Sequence, residues 1–551
     1  MAKTTTIGKY LIHRLEEAGL KHVFGIPGDY VLSFFDLLVA SKMQVIGTCT
    51  ELGAGFAADA YARVNGLGCA CITYCVGGLN TLNAAAGAYA EKSPMIVISG
   101  APGMRERAKS SMLHHKIRDF HTQLQIYEKV TVASAALEDA HIAPRQIDEC
   151  IIECLRQKRP VYLEIPRDMV DAPCDAPGPL AIALPTSEPL PLKEAIAEAA
   201  AMIKKAKSTA ILAGIEVHRY GLQNELLDLV GKTGLPIAAT LLGKSVISEI
   251  HPQYVGVYEG AMGNEQARLI IEKAEALLIL GAFMSDIELG IYTAKLDDAR
   301  TINARSDRIT IRHHHYEEVA MRDFITGLTQ ALTTGKGALK PAAKKKPKTP
   351  KVFKPQPSKP CTIARFFERM NEYLDEGTIV VADIGDSLFG SSDLTIHRGT
   401  EFISPAYYTA MGFAVPAAVG AQANRPDLRP IVFVGDGAFQ MTGWELSTAA
   451  KYGLNPIVFV LNNKGYTTER YIHEGPYNDI HEWAYHLLPQ VLRKGWGCEV
   501  RTEGELEEAL ITAKSHTQSF SIINVHLDKM DRSNALERLG KSLSKQAGLS
   551  K

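Results

Sequence analysis

The chain has 551 residues, with 60 Lys and Arg against 61 Asp and Glu and a formal net charge of -1. That length suggests about three or four domains at ~150 residues each, and 46% hydrophobic with 22% charged residues excludes a disordered chain. Near-neutral charge argues against nucleic acid as a partner, because phosphate binding needs a basic surface.

In chain order, residues 1–23 carry charges throughout and lack an apolar core, so no signal peptide is expected. Ile7, Leu11, Leu15 and Ala18 recur at helical spacing. A strand over 22–25 then ends in a Gly-Pro-Gly turn. The pattern continues as helix 31–40, strand 44–49, helix 52–64, strand 68–75, helix 78–91 and strand 94–99. Cys69, Cys71 and Cys75 fall in an apolar run that reads as buried thiols rather than a metal site. Nine Cys without paired spacing fit a reducing cytoplasm. No stretch reaches the ~18 uninterrupted apolar residues of a membrane span. The expectation is a soluble cytoplasmic protein with no membrane association.

Two stretches read as linkers. Residues 172–192 are rich in Pro and small residues, and residues 333–359 are rich in Lys and Pro. Pro at this density is expected to prevent helices and ladders, and like charges extend a tether. The chain is therefore expected to divide into domains 1–175, 190–332 and 360–551. STAILAG and ALLILGAF in the second domain, and TIVVADIG, IVFVGDG and PIVFVLNN in the third, are apolar β-branched runs. Such runs indicate strands buried on both faces, so the expected fold is three doubly wound α/β domains with parallel sheets, the central one Rossmann-like.

Ligands of open α/β sheets bind beyond the carboxyl ends of the strands. Asp29, Glu51, Asp386, Asp436 and Asn463 are expected there. The strongest signal is Gly435-Asp436-Gly437, 24 residues, then Asn462-Asn463, with strand, helix and strand in between. A carboxylate and an amide oxygen are hard ligands suited to Mg²⁺. Neighbouring glycines let backbone N–H groups approach a phosphate.

This pattern resembles the thiamin diphosphate fingerprint. The resemblance implies Mg²⁺ held by Asp436, Asn463 and the Gly465 carbonyl. Gly435, Gly437, Ala438 and Tyr466 would line the diphosphate site, and Asp386 would be a further cofactor contact. YYTAMGFAVP resembles the segment that bends the cofactor, with Met411 as wedge and the Thr409 carbonyl as acceptor. Glu51, in CTELGAGFAADAYARVNG, matches the family's cofactor-activating glutamate. A buried carboxyl of raised pKa is expected to hold a proton on the pyrimidine ring, which then takes the weakly acidic C2 proton.

Asp29 in GIPGDY, the pair His114 and His115, and Glu469 six residues past Asn463 narrow the family. Together they resemble the 2-oxo acid decarboxylases of the pyruvate, indolepyruvate and phenylpyruvate group, over nearly the whole chain. The implied reaction is non-oxidative loss of CO₂ through an enamine held on the cofactor, giving an aldehyde. Glu469 would face the departing carboxylate, and Asp29, His114 and His115 would supply protons near neutral pH. Pyruvate-specific bacterial enzymes carry Trp and Ile where this chain has Leu388 and Thr468. Smaller walls there, with Ile472 as another wall, point to aromatic or branched 2-oxo acids. Pyruvate decarboxylation, or carboligation of the acetolactate synthase or benzoylformate decarboxylase type, are the alternatives. The resemblance also implies active sites that straddle subunits, in a homodimer at minimum and a homotetramer by expectation. The last residues read as an amphipathic helix, either closing over the site or frayed at the surface.

Overall fold

The computed structural model describes residues 4–182, 185–341, 352–397 and 399–546. They form three open sheets with helices on their faces. Strands such as Met95–Ala101 and Ile457–Asn462 are buried at every position, as the central strands of such a sheet must be.

The N-terminal sheet runs in the order Gln44–Gly47, His22–Gly25, Gly68–Ile72, Met95–Ala101, Val161–Pro166, Ala133–Ala136, all parallel. The C-terminal sheet runs Phe402–Ile403, Thr378–Ala382, Arg429–Gly435, Ile457–Asn462, Ser521–His526, Trp496–Val500, also all parallel. The central sheet departs from expectation. Its first five strands, Tyr254–Tyr258, Ile237–Thr240, Thr209–Ala213, Ala276–Leu280 and Thr301–Ala304, are parallel. Ile309–Ile311 and His314–Tyr316 then add an antiparallel edge. The connections there are two to four residues long, too short for the crossover that a parallel pair requires.

The linkers also depart from expectation. Within 172–192, Pro173–Asp175 pairs antiparallel with Thr4–Thr6, and a helix begins at Pro189. Pro189 and Pro191 sit in that helix's first turn, where the missing N–H has no intrahelical acceptor to lose. In the second linker, residues 342–351 lie outside the described residues. Phe353 is buried, with Arg365 stacked 4.1 Å from its ring centroid, so the end of the tether packs on the C-terminal domain. The expected strand 68–75 ends at Ile72.

The first and last domains share an interface. The small-residue helix Glu51–Asn65 packs along Ala414–Asn424, and Phe56 meets Phe413 edge-on at 5.5 Å. The final helix, Asn534–Gln546, is docked rather than frayed. Ala535 is buried against Met262 and Phe389, and Arg538 donates to the Met262 carbonyl and pairs with Asp393 at 3.0 Å. Among the described residues, no helix is long and apolar enough to cross a membrane.

Candidate active site

The carboxyl ends of the C-terminal strands open into a cavity of about 460 Å³. Asp436 is the first residue of the helix after Arg429–Gly435, and Asn463 directly follows the neighbouring strand. Adjacent parallel strands thus set the two side by side. Asp436 is only 1% exposed, and burial pushes its carboxyl up to about 7. Its two oxygens accept from the Gly437 N–H at 2.8 Å and the Gly465 N–H at 3.1 Å. The Asn463 Oδ1 is buried and has no partner among the described residues. A buried carboxylate beside an orphaned amide oxygen is a donor set that a hard cation satisfies.

Gly437 is required by close approach, because a Cβ there would lie 2.4 Å from the Tyr466 ring. A Cβ on Gly435 would meet nothing within 4 Å. The turn is therefore walled at Gly437 and open at Gly435.

Thr409 and Met411 also line the cavity. Thr409 has φ of 57°, a costly backbone for a β-branched residue. The turn is held by Asp383, which the sequence reading missed. Its Oδ1 accepts from Gly412 N–H at 3.1 Å and its Oδ2 from Ala414 N–H at 2.8 Å. Asp383 is fully buried, and burial raises its carboxyl to about 6. Asp386 is buried too, raised by burial to about 6, and accepts from the Ser533 N–H at 2.7 Å.

Leu388, Thr468 and Glu469 line the same cavity, joined by Ile287 from the central domain and by Ile363, Leu527 and Asp531. Ile472 does not line it. It ends the short helix Thr467–Ile472 and is 75% exposed.

The N-terminal candidates gather elsewhere. Glu51 opens its helix, half-buried rather than buried as expected, and accepts from Asn80 Nδ2 at 2.7 Å. Asp29, His114 and His115 place ligand-type atoms within 4.8 Å of one another. His114 Nε2 lies 2.8 Å from Asp29 Oδ2, and its ring stacks on Tyr30 at 4.6 Å. The Tyr30 hydroxyl reaches His114 Nδ1 at 3.2 Å, and Arg167 stands over the Tyr30 ring. Burial raises the Tyr30 hydroxyl. His115 has φ of 65°, and its buried Nδ1 has no partner among the described residues. Tyr30 and Arg167 were not singled out from sequence, although Tyr30 adjoins Asp29. None of these N-terminal residues lines the C-terminal cavity within the chain.

Three family models match the chain in order. They are the N-terminal TPP binding domain of thiamine pyrophosphate enzymes over 5–125, the central domain over 196–332 and the C-terminal TPP binding domain over 383–525. The chain is 35% identical to an indole-3-pyruvate decarboxylase of Azospirillum brasilense, across 97% of both proteins. The chain belongs to the thiamin-diphosphate-dependent 2-oxo acid decarboxylases. An alpha-keto-acid decarboxylase of Mycolicibacterium paratuberculosis is 34% identical over 96% of this chain and 94% of its own. A probable pyruvate decarboxylase of Schizosaccharomyces pombe is 32% identical over 98% and 97%. This decarboxylase is a carboxy-lyase that removes CO₂ non-oxidatively from a 2-oxo acid, with thiamin diphosphate and its Mg²⁺ partner as cofactor.

Proposed function

We propose that this decarboxylase prefers bulky 2-oxo acids, aromatic or branched, such as phenylpyruvate, indolepyruvate or 2-oxoisovalerate. The observation that supports this is the cavity wall. Leu388 is buried in it and Thr468 faces it, where Trp and Ile would stand in the pyruvate-specific pattern. Removing wall volume admits larger side chains, and each methylene of fit is worth only about 1–3 kcal/mol.

The site residues take these roles in our reading. Asp436, the orphaned Asn463 Oδ1 and the Gly465 carbonyl hold Mg²⁺. Gly435, Gly437, Ala438 and Tyr466 line the diphosphate, and Asp386, the Thr409 carbonyl and Met411 fix the rest of the cofactor. When bound, thiamin diphosphate supplies the electron sink that decarboxylation needs. Glu51 holds a proton at the cofactor's pyrimidine ring. Glu469, on the cavity rim, disfavours the substrate's ionised carboxylate. Asp29, His114 and His115 deliver the proton that completes the aldehyde, as one coupled cluster.

The cavity receives no residue of the Glu51 domain from its own chain. This supports a site completed by a second copy, in a homodimer at minimum and a homotetramer by preference. Nine free thiols are consistent with a cytoplasmic enzyme.

The test is kcat/KM for aldehyde formation from pyruvate, 2-oxoisovalerate, phenylpyruvate, indolepyruvate and benzoylformate. Phenylpyruvate or indolepyruvate should exceed pyruvate. Combining Leu388→Trp with Thr468→Ile should shift the ratio toward pyruvate by about 10–200-fold. A wild-type preference for pyruvate would sink the substrate reading and leave the reaction intact. Ligated products in place of free aldehyde would favour carboligation.

A further inference from the structure

The turn that carries Glu51 is gripped from another domain. Glu445 ends the short 3-10 helix Gly443–Glu445, just past the helix that begins with Asp436. It is 1% exposed. Its Oε1 accepts from the Cys49 N–H at 3.1 Å, the Thr50 N–H at 3.0 Å and the Thr50 hydroxyl at 3.3 Å. Its Oε2 accepts from the Cys49 N–H at 3.1 Å and the Thr448 hydroxyl at 2.7 Å. Thr50 in turn caps the Glu51 helix, accepting from the Gly53 N–H at 3.0 Å.

The sequence reserves space for this carboxylate. A Cβ on Gly53 would lie 2.0 Å from Glu445 Oε1. The helix N-terminus offers unpaired N–H groups and a positive dipole end, so a buried anion there is stabilised. Two further contacts brace the same turn. The Gly47 N–H donates to the Tyr452 hydroxyl at 2.7 Å, and Cys49 Sγ donates to the Trp444 carbonyl at 3.3 Å.

We propose that Glu445 is a positioning residue for Glu51. It clamps the 49–53 turn from the C-terminal domain and so sets where the Glu51 carboxyl stands. The inference rests on Glu51 being the residue that holds the cofactor's proton. It also ties two sites together. If each site takes Glu51 from one copy and Asp436 from the other, the segment holding one site's metal ligand anchors the other site's glutamate.

The test uses Glu445→Ala, Glu445→Gln and Gly53→Ala, with Glu51→Gln as reference. Two readouts do not depend on turnover. One is amide hydrogen exchange of peptides covering 47–53 in the cofactor-free protein. The other is deuterium exchange at the cofactor's C2 position in the loaded protein, read by NMR after acid quench. Glu445→Ala should speed amide exchange at Cys49 and Thr50 at least tenfold. It should slow C2 exchange and kcat by about 10²-fold, the cost of a displacement near 1 Å, with KM within threefold. Glu445→Gln keeps an oxygen for the Cys49 and Thr50 donors and should recover most of both. Gly53→Ala, which displaces the carboxylate, should resemble Glu445→Ala and decides the matter if that protein does not fold. Wild-type C2 exchange in Glu445→Ala or Gly53→Ala, or a Gln variant as slow as Ala, would overturn the clamp. An active Glu51→Gln protein would instead overturn the reading of Glu51 on which the clamp depends.

Discussion

Numbered within each six-stranded sheet, the first and last sheets have the same strand order, 2-1-3-4-6-5. Their strand ends carry different chemistry. After strand one come Asp29 in the first domain and Asp383 with Asp386 in the last. After strand two come Glu51 and the Thr409–Met411 turn. After strand three the last domain has Asp436 beside the open space at Gly435, whereas the first has Cys75, with φ of 53°. There the buried Gln123 accepts the Cys75 N–H at 2.7 Å, and a Cβ on Gly78 would lie 2.0 Å from its Oε1. The same frame thus leaves open space at Gly435 in the last domain and fills the matching turn with the Gln123 side chain in the first. The first domain leaves its own polar groups exposed. Asp29 is 42% and His114 57% exposed, against 1% for Asp436.

The comparison can be broken most sharply at Glu51. Glu51→Gln should lower kcat by about 10³-fold, within the range of lost general acid–base catalysis. Its melting temperature should stay within a few degrees, because the side chain is half-buried with one partner. Asp436→Ala tests the opposite domain and the opposite quantity. Cofactor and Mg²⁺ affinity, measured by calorimetry, should fall by more than the roughly 10–100-fold cost of a lesser change around a metal.

Asp383 tests the buried side of the contrast by pH. Its carboxyl titrates near 6 in the fold, above its ordinary value, so the folded state binds the extra proton. Stability of the cofactor-free protein from this group is therefore fullest below pH ~4 and is lost as pH rises through 6. Urea unfolding should show a loss of up to about 3 kcal/mol across that window, and Asp383→Asn should remove that part of the slope. Tyr30→Phe should have the smallest effect. Losing one hydroxyl contact to His114 costs about 1 kcal/mol, so kcat should fall less than tenfold, with its pH profile displaced.

The placement of Asp436 and Asn463 was legible because local rules set it. Asp436 and Asn463 end adjacent parallel strands, and one helix between them accounts for the spacing. The doubly wound domains were legible for the same reason, from continuous apolar runs. What stayed hidden depends on distant partners. Asp383 looks like one more acid at a strand end, yet its donors come from Gly412 and Ala414. Glu445 is one letter inside a motif, and its donors lie almost 400 residues away. Ile472 was expected as a wall from the family resemblance, but it is 75% exposed at the end of its helix, outside the cavity lining. The antiparallel edge of the central sheet follows from connection lengths, which depend on strand boundaries that pattern reading blurs.

The docked final helix bears on how the enzyme is made. Asp386, a cavity wall, is tied to Ser533, and Arg538 bridges Met262 of the central domain to Asp393. These bonds close loops of more than a hundred residues, so segments far apart in sequence fix one wall of the cavity. A chain still on the ribosome can have both flanking sheets in hand and lack the brace on Asp386 until Ser533 emerges. Domains fold as units from the N-terminus during synthesis, so the Asp386 wall is braced only after both flanking sheets have been made. Chains cut before Ser533 would therefore carry Asp436 and Asn463 and still lack the brace on Asp386.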